Sequence, residues 1–285
     1  PIRHVSRKQE LACVDSIEDA AGMIFQSERP VILAGHAAVR NNASAAINKF
    51  SHDLKIPVIN TMMAKGIVAY DNPYSVWTVG LPQEDYQNVV LKEADLVIAI
   101  GYDLVEFAPR KWNPDGNHKI IHIDTRGSHI NKLYQPDIEV IGDISDALTR
   151  ILKRCGQTKE NKRFEQIKEM MEEEYQSYKS DFSFPMKPQK ILYDIREVLK
   201  RDDILISDVG AHKMWIARHY RCYEPNTCII SNGFASMGIA IPGAIAAKLT
   251  YPEKNVLAVT GDGGFMMNCQ EFETAVRLGI SFVTV

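Results

Sequence analysis

The sequence predicts an α/β protein built from two doubly wound parallel-sheet domains. Short runs rich in Val and Ile alternate with amphipathic stretches of helical spacing, as expected of βαβ units whose sheet is covered on both faces. The length of 285 residues also suits about two domains. A charged segment interrupts the alternation, which divides the chain into a lead-in linker (1–15), a first domain (16–153), a charged helix with a linker (154–188) and a second domain (189–285).

In the first domain, five short apolar runs predict strands at residues 30–33, 58–59, 96–100, 119–123 and 138–141. Amphipathic stretches at 43–54 and 143–152 predict helices that cover the sheet. The following segment is rich in Lys and Glu at helical spacing, so a surface helix is expected over 159–178, followed by an extended stretch to residue 188.

The second domain resumes the alternation. Helices are predicted at 191–199, at 237–249 and after residue 264, and strands at 204–207, 228–230 and 256–260. A further strand begins near Gly279, and the sequence stops within it at Val285. A strand without a following turn leaves backbone groups unpaired, so we expect a fragment whose second domain is C-terminally truncated.

The composition excludes several classes of partner. With a net charge of −3, neither nucleic acid nor an anionic membrane is an expected partner. No apolar run reaches the roughly 20 residues that a membrane-spanning helix needs. The five cysteines are scattered without metal-ligand spacing, which predicts reduced thiols and a cytoplasmic protein.

Three loops of the second domain follow the carboxyl ends of predicted strands, where open α/β sheets bind their ligands. They lie at 208–212, 231–238 and 261–264. The last has the sequence Gly-Asp-Gly-Gly, in which Asp262 offers a hard oxygen to a divalent metal while glycine N–H groups face a phosphate. A tight turn that requires positive φ explains the same glycines without any chemistry.

The individual side chains of these loops leave alternatives open. His212 could donate a hydrogen bond to a phosphate oxygen, or it could face solvent at a helix start. Met237 begins an apolar helix, and a methionine in that position is usually a core residue. Asn268, Glu271 and Glu273 are expected on a solvated helix face.

The first domain carries weaker signals. Gly-His-Ala-Ala at 35–38 follows a strand like a nucleotide-binding turn, but the full Gly-x-Gly-x-x-Gly pattern is missing. Asp124 suits either a ribose-binding acid or a helix cap. Two carboxylates lie beside aromatic residues at 101–107, where a ligand and a partner subunit are equally plausible neighbours.

Taken together, the motifs of the second domain resemble those of thiamine diphosphate enzymes of the acetolactate synthase and pyruvate oxidase group. The resemblance rests on Ser-Asp-Val-Gly at 207–210 with Met-Trp at 214–215, Ser-Met-Gly at 236–238 with Ile-Pro-Gly-Ala at 241–244, and Gly-Asp-Gly-Gly at 261–264 with Glu-Phe-Glu-Thr-Ala at 271–275. It covers essentially the whole chain, as a Rossmann-like middle domain followed by the first part of a thiamine diphosphate-binding domain.

Within this group the chain looks most similar to the catabolic, FAD-independent acetolactate synthases. Ile-Gly-Tyr at 100–102, Val-Glu at 105–106 and Trp-Ile-Ala-Arg at 215–218 favour that subgroup. FAD is not expected, because Gly-Tyr-Asp at 101–103 stands where the flavin-binding stretch of anabolic synthases would begin. The resemblance implies an enzyme that decarboxylates pyruvate and ligates the hydroxyethyl unit to a second pyruvate, giving 2-acetolactate and CO2.

The same resemblance assigns site residues. Asp262 would coordinate Mg2+, Met237 would hold the cofactor in its bent shape as the catalytic position, and the cofactor-binding residues would be Gly210, Ala211, His212, Gly233, Ser236, Met237, Asp262, Gly263 and Gly264. The family commonly has Gln where Ala211 stands, so one side-chain contact is lost.

Two parts of the family's site would lie outside this sequence: a second metal ligand, Asn, and the pyrimidine-binding domain with its activating glutamate. The active site forms between two subunits in the family, so the fragment alone should be inactive, and the full-length protein should be a homodimer or homotetramer. Pyruvate oxidase, sulfoacetaldehyde acetyltransferase and oxalyl-CoA decarboxylase types remain alternatives. So do a non-catalytic nucleotide-binding module that uses 35–38 and Asp124, and a purely structural first domain.

Overall fold

The computed structural model describes residues 10–81, 85–156 and 162–285. It contains two parallel sheets, one of six strands and one of four. The predicted fold class, two parallel-sheet α/β domains, is therefore confirmed. The sequence signals at 1–9 and 159–161 lie outside the described residues.

The first sheet consists of β1 (Pro30–Ala34), β2 (Val58–Asn60), β3 (Ser75–Thr78), β4 (Leu96–Ile100), β5 (Lys119–Asp124) and β6 (Ile138–Ile141). Its order is β3-β2-β1-β4-β5-β6, and every neighbouring pair is parallel. The order changes direction between β1 and β4, so the edge at their carboxyl ends is the topological switch point, where such sheets bind ligands.

Both faces of this sheet are buried because side chains alternate along each strand. On β1, Ile32 and Ala34 belong to one core cluster, and Val31 and Leu33 belong to another. The covering helices are α1 (Val14–Gln26), α2 (His36–Arg40), α3 (Ser44–Leu54), α4 (Tyr86–Glu93), α5 (Ile144–Leu152) and α6 (Lys162–Ser177).

Helix α6 differs from the solvated surface helix that its charge pattern predicts. Phe164, Ile167, Met171 and Tyr175 are buried in the same cluster as Val31 of the first sheet. Their spacing of three, four and four residues forms a single apolar stripe, which the many Lys and Glu residues on the other faces obscure in the sequence. The helix therefore packs on the first domain.

The second sheet is covered by α7 (Pro188–Val198), α8 (Ala211–His219), α9 (Ala240–Thr250), α10 (Asp262–Asn268) and α11 (Glu271–Arg277). Its strands are β7 (Ile204–Ser207), β8 (Cys228–Ile230), β9 (Val256–Val259) and β10 (Val283–Thr284), in the order β10-β9-β7-β8. Ile204 and Ile206 pack with α9, whereas Leu205 packs on the opposite face with Ile216 of α8.

One helix begins later than its apolar pattern predicts. The helix expected from residue 237 starts at Ala240, because Gly238 has a φ of +85°, which is outside the helical region. Met237 consequently lies in the loop before α9. No described helix is long and apolar enough to span a membrane.

The two domains are held together by a guanidinium group shared between two carboxylates. Arg218 of α8 donates to Asp85, the residue that caps α4, and its Nη1 and Nη2 lie 2.9 and 3.0 Å from the carboxylate oxygens of Glu174 on α6. Nearby, the buried Lys65 donates to the carbonyl oxygen of Ala217 at 2.9 Å. Helix α8 is thus fixed against the first domain.

Candidate functional site

The three predicted loops lie side by side at one edge of the second sheet. Strands β9, β7 and β8 are neighbours and parallel, so their carboxyl ends reach the same edge. We name the segments that follow them loop A (208–210, after β7), loop B (231–239, after β8) and loop C (260–264, which ends in the first turn of α10). Ligand groups on these loops can therefore act on one molecule.

Asp208 connects loop A to loop B. Its carboxylate accepts hydrogen bonds from the backbone N–H groups of Val209 (2.7 Å), Gly238 (2.8 Å) and Ala240 (3.0 Å). The side chain is buried, with 1% of its surface exposed. The start of α9 and the end of loop B are consequently fixed by a residue of loop A.

His212 lies between loop A and loop C. Its ring approaches both Gly210 and Gly261, at 3.6 Å from a Cβ built on Gly261. Burial lowers the pKa of the imidazole, against an opposing effect of Asp208. Nε2 is buried and has no hydrogen-bond partner within the described part of the chain. A buried polar atom without a partner is costly, so Nε2 is a candidate contact for a bound anionic group.

Asp262 is exposed at the first position of α10, and its Oδ1 accepts from the N–H of Gly263 at 2.8 Å. The described residues contain no cluster of three or more His, Cys, Asp or Glu side chains that could hold a metal. Mg2+ needs no such cluster, since it is commonly bound by one or two carboxylates together with phosphate oxygens and water. A single accessible carboxylate would fit that kind of site if a phosphate group were bound beside it.

Met237 is in contact with loop C rather than with the core. A Cβ built on Gly263 would lie 3.1 Å from Met237 Cε, and 43% of the Met237 side chain is exposed. The sequence pattern favoured a core methionine, and the exposed position excludes that alternative. Met237 is therefore available to a ligand that lies between loops B and C.

The remaining predicted positions are mostly exposed backbone, but Gly263 is half-buried and Gly264 is buried. Gly210 is the N-cap of α8, and Ala211 is its first residue, so their N–H groups belong to the helix end that has no intrahelical acceptors. Gly233, with a φ of +78°, and Ser236 are exposed on loop B. Their roles in cofactor binding stay predictions.

A second concave region lies at the switch point of the first sheet. This cleft has a volume of about 640 Å3 and is lined by residues that include His36, Arg40, Asp103, Asp124 and Gly233. Gly233 belongs to loop B, so the cleft borders the second domain.

Glu106 occupies the part of this cleft that resembles a nucleotide-binding turn. Its carboxylate accepts from the His36 N–H at 2.9 Å and from Thr61 Oγ1 at 2.6 Å. Burial raises the pKa of Glu106, and these hydrogen bonds oppose the rise. Gly35 is packed on backbone, since a Cβ there would lie 2.4 Å from the Gly101 oxygen. The glycine serves a close approach of two loops.

The cleft and loop B are joined by hydrogen bonds. Lys213 of α8 is buried, and its Nζ donates to Asn232 Oδ1 at 2.8 Å and to the Ser231 carbonyl oxygen at 3.1 Å. Asn232 in turn donates to the carbonyl oxygen of Glu106 at 3.2 Å. Loop B is thus held from one side by α8 and from the other by the first domain.

Comparison with known protein families agrees with this architecture. Residues 17–151 match the model described as "Thiamine pyrophosphate enzyme, central domain", and residues 208–285 match "Thiamine pyrophosphate enzyme, C-terminal TPP binding domain". The chain belongs to the thiamine pyrophosphate enzymes. Thiamine pyrophosphate is the same cofactor as thiamine diphosphate, and the matched domains contain the first sheet with its cleft and the loops A, B and C, respectively.

Curated relatives in this family are acetolactate synthases. The chain is 35% identical over 282 residues to the acetolactate synthase of Bacillus subtilis, and the match covers 96% of this chain and 49% of the relative. It is 36% identical to a probable acetolactate synthase large subunit of Methanocaldococcus jannaschii (94% and 47% covered) and 30% identical to a catabolic acetolactate synthase of Raoultella terrigena (92% and 48% covered). The chain thus spans about half the length of these relatives.

Sequence reasoning missed the residues that organise the site. Asp208 belongs to the Ser-Asp-Val-Gly motif at 207–210, but the sequence pattern assigned it no role in the site. Asn268, expected on a solvated face, donates from Nδ2 to the Gly238 carbonyl oxygen at 2.8 Å and is only partly exposed. The available signal for Asp208 was its position at a strand end two residues before Gly210. Two of its N–H donors lie 30 and 32 residues later and carry no pattern of their own.

Proposed function

We propose that the full-length protein is an acetolactate synthase that decarboxylates pyruvate and joins the resulting two-carbon unit to a second pyruvate. Support comes from the acetolactate synthase relatives and from one geometric observation: Met237 of loop B overlies Gly263, beside the carboxylate of Asp262. This places a bulky apolar side chain next to a candidate metal ligand, as required to bind a molecule that has both a diphosphate and an apolar ring system. We infer a cytoplasmic homodimer or homotetramer as its working form.

Thiamine diphosphate, when bound, supplies the nucleophilic carbon and the electron sink for decarboxylation of a 2-oxo acid. We propose that this chain contributes position and charge. Asp262 would hold Mg2+, and Gly263 with Gly264 and the start of α8 would direct N–H groups at the diphosphate. The negative charge of a diphosphate raises the pKa of a nearby imidazole, which would let His212 Nε2 donate a hydrogen bond to it.

We also propose that the reaction is independent of FAD. In the first-domain cleft, the N–H of His36 already donates to the Glu106 carboxylate. A flavin diphosphate that approached this turn would meet the Glu106 carboxyl group instead of a free N–H donor. The same contact disfavours the alternative of a nucleotide-binding module based on residues 35–38. Asp124 likewise has local partners, because its Oδ1 accepts from the N–H and the hydroxyl of Thr125.

The test is an assay of the full-length protein with pyruvate, thiamine diphosphate and Mg2+, with and without FAD, in which CO2 and acetolactate are both quantified. Because only the first of the two pyruvates is decarboxylated, the reaction should yield one acetolactate per CO2. FAD should have no effect on this ratio or on the rate. Release of CO2 without acetolactate, or a strict requirement for FAD and oxygen, would transfer the protein to another branch of the family.

Metal binding is tested by calorimetric titration of thiamine diphosphate with and without Mg2+. Asp262→Asn should remove the Mg2+-dependent part of cofactor affinity, because the metal loses a charged ligand. Asp202→Asn is the matched control, since Asp202 is also exposed but lies before β7 at the opposite edge of the sheet. Equal affinities in the Asp262 variant and the control would remove Asp262 from the metal site.

A further inference from the structure

Asp208 is the point where loops A, B and C meet. In the described part of the chain, the hydrogen bonds to its carboxylate all come from backbone N–H groups, one in loop A, one in loop B and one at the start of α9. A buried carboxylate without a cation loses its hydration, and several charge-assisted hydrogen bonds are needed to offset that loss. The loop conformation and the hydrogen-bonded carboxylate therefore stabilise each other.

The first turn of α10, which ends loop C, packs on the same carboxylate. A Cβ built on Gly264 would lie 2.8 Å from Asp208 Oδ1 and 2.9 Å from Thr260 Oγ1, closer than side-chain atoms normally approach. Gly264 is thus required by its contact with Asp208, independently of any contact with a phosphate. Asn268 completes the arrangement, because it donates to the carbonyl oxygen of Gly238, whose N–H donates to Asp208.

We propose that Asp208 is a positioning residue that sets the relative placement of the three cofactor loops. This inference rests on the proposed function, since it takes loops A, B and C as the thiamine diphosphate site. Asp208 acts on the cofactor through other residues: Gly238 directly follows Met237, and Gly264 directly follows Gly263. The carboxylate is the group needed here, because an amide has one acceptor oxygen and its NH2 group would oppose an N–H donor.

The chain offers a matched control at the opposite end of the same strand. Asp203, 2% exposed, lies just before β7 and also accepts three hydrogen bonds from N–H groups: from the Lys200 N–H (2.8 Å), the Asn255 N–H (2.9 Å) and Asn255 Nδ2 (2.9 Å). Its burial and hydrogen bonding thus match those of Asp208. Only its distance from the loops differs, because it lies at the amino end of β7.

The experiment compares Asp208→Asn with Asp203→Asn in the full-length protein. Both substitutions should lower the melting temperature of the cofactor-free protein. Only Asp208→Asn should raise the dissociation constant of thiamine diphosphate with Mg2+, by at least tenfold, or about 1.4 kcal/mol. It should also lower kcat at saturating cofactor, because Met237 is misplaced.

The possible results distinguish the positioning role of Asp208 from the proposed function. An unchanged cofactor affinity in Asp208→Asn, or equal losses in the two variants, would overturn the positioning role. Failure of the unsubstituted protein to bind thiamine diphosphate would instead overturn the proposed function, whatever the variants do.

A second measurement does not depend on the cofactor. Gly264→Ala should lower the urea midpoint of the cofactor-free protein, and the loss should be smaller when Asp208→Ala has already removed the carboxylate. Gly243→Ala on α9, where a Cβ would meet only the Ile206 side chain at 3.3 Å, is the control and should show no such coupling. If the Asp208 variants do not fold, Gly264→Ala alone must weaken cofactor binding relative to Gly243→Ala, and equal affinities would refute the inference.

Discussion

Arg218 provides the sharpest test of how the two domains are held together. The guanidinium group donates to Asp85 of the first domain and, at 2.9 and 3.0 Å, to Glu174 of α6. The side chains of Arg218 and Asp85 are 18% and 11% exposed, whereas that of Glu174 is 31% exposed. Removing one partner of a buried ion pair costs roughly 3–5 kcal/mol, because the other charge stays buried without compensation. We expect Arg218→Ala to lower the free energy of unfolding by about 3 kcal/mol, the lower end of this range, since Glu174 keeps contact with water.

The control is a second Arg–Asp pair between the domains. Arg201 and Asp71 lie 2.7 Å apart, but their side chains are 53% and 55% exposed. Exposed pairs of this kind contribute about 0–1 kcal/mol, so Arg201→Ala should cost less than about 1 kcal/mol. The free energies of unfolding are measured in urea for both variants.

A double-mutant cycle isolates the interaction itself. Asp85→Ala also removes the N-cap of α4, which is worth about 1 kcal/mol, but that loss cancels in the cycle. The coupling energy between Arg218→Ala and Asp85→Ala should be about 2 kcal/mol. A coupling energy near zero, or equal costs for the Arg218 and Arg201 variants, would show that burial does not decide the strength of these pairs.

Two further predictions concern turnover and pH. Met237→Ala should change thiamine diphosphate affinity by less than about tenfold, roughly 1.4 kcal/mol, but lower kcat far more; an unchanged kcat would make Met237 an ordinary surface residue. Burial lowers the pKa of Lys168 to about 8. Between pH 8 and the pKa of a free lysine, the unfolded chain therefore binds more protons than the folded one. The free energy of unfolding should rise with pH across that window, by at most about 1.4 kcal/mol per pH unit. Lys168→Met should abolish this contribution in urea unfolding at pH 8 and 9.5, and identical slopes for the two proteins would contradict the assignment.

The fold was largely predictable because most of its strands are short apolar runs with buried side chains. Leu96–Ile100, Ile138–Ile141, Ile204–Ser207 and Cys228–Ile230 have the bounds that their apolar runs indicate. Strand β3 was not predicted, because polar Ser75 and Thr78 flank its two apolar residues and leave no apolar run, although all four residues are buried. Helix α2 was missed because its five residues are too few to establish a period.

The candidate site was predictable only in its location. Loops after strand ends can be found in a sequence, which is why Asp262 and His212 were identified as candidates. The contacts that shape those loops depend on residues far apart in the chain, such as Asp208 with Gly238 and Ala240. Glu106 is a similar case, since its partner His36 lies 70 residues earlier. No local pattern encodes such a pairing.

The hydrogen bond from Asn232 to Glu106 has a thermodynamic consequence for the whole protein. It joins loop B to the carboxylate-bearing segment of the first-domain cleft, so the two regions share an equilibrium. Consider a small molecule that displaces Glu106 and thereby changes the cofactor affinity by some factor. Because such coupling is reciprocal, bound cofactor would change the affinity of the small molecule by the same factor. If loop B binds the cofactor as proposed, a ligand of the cleft that moves Glu106 is expected to change the cofactor affinity.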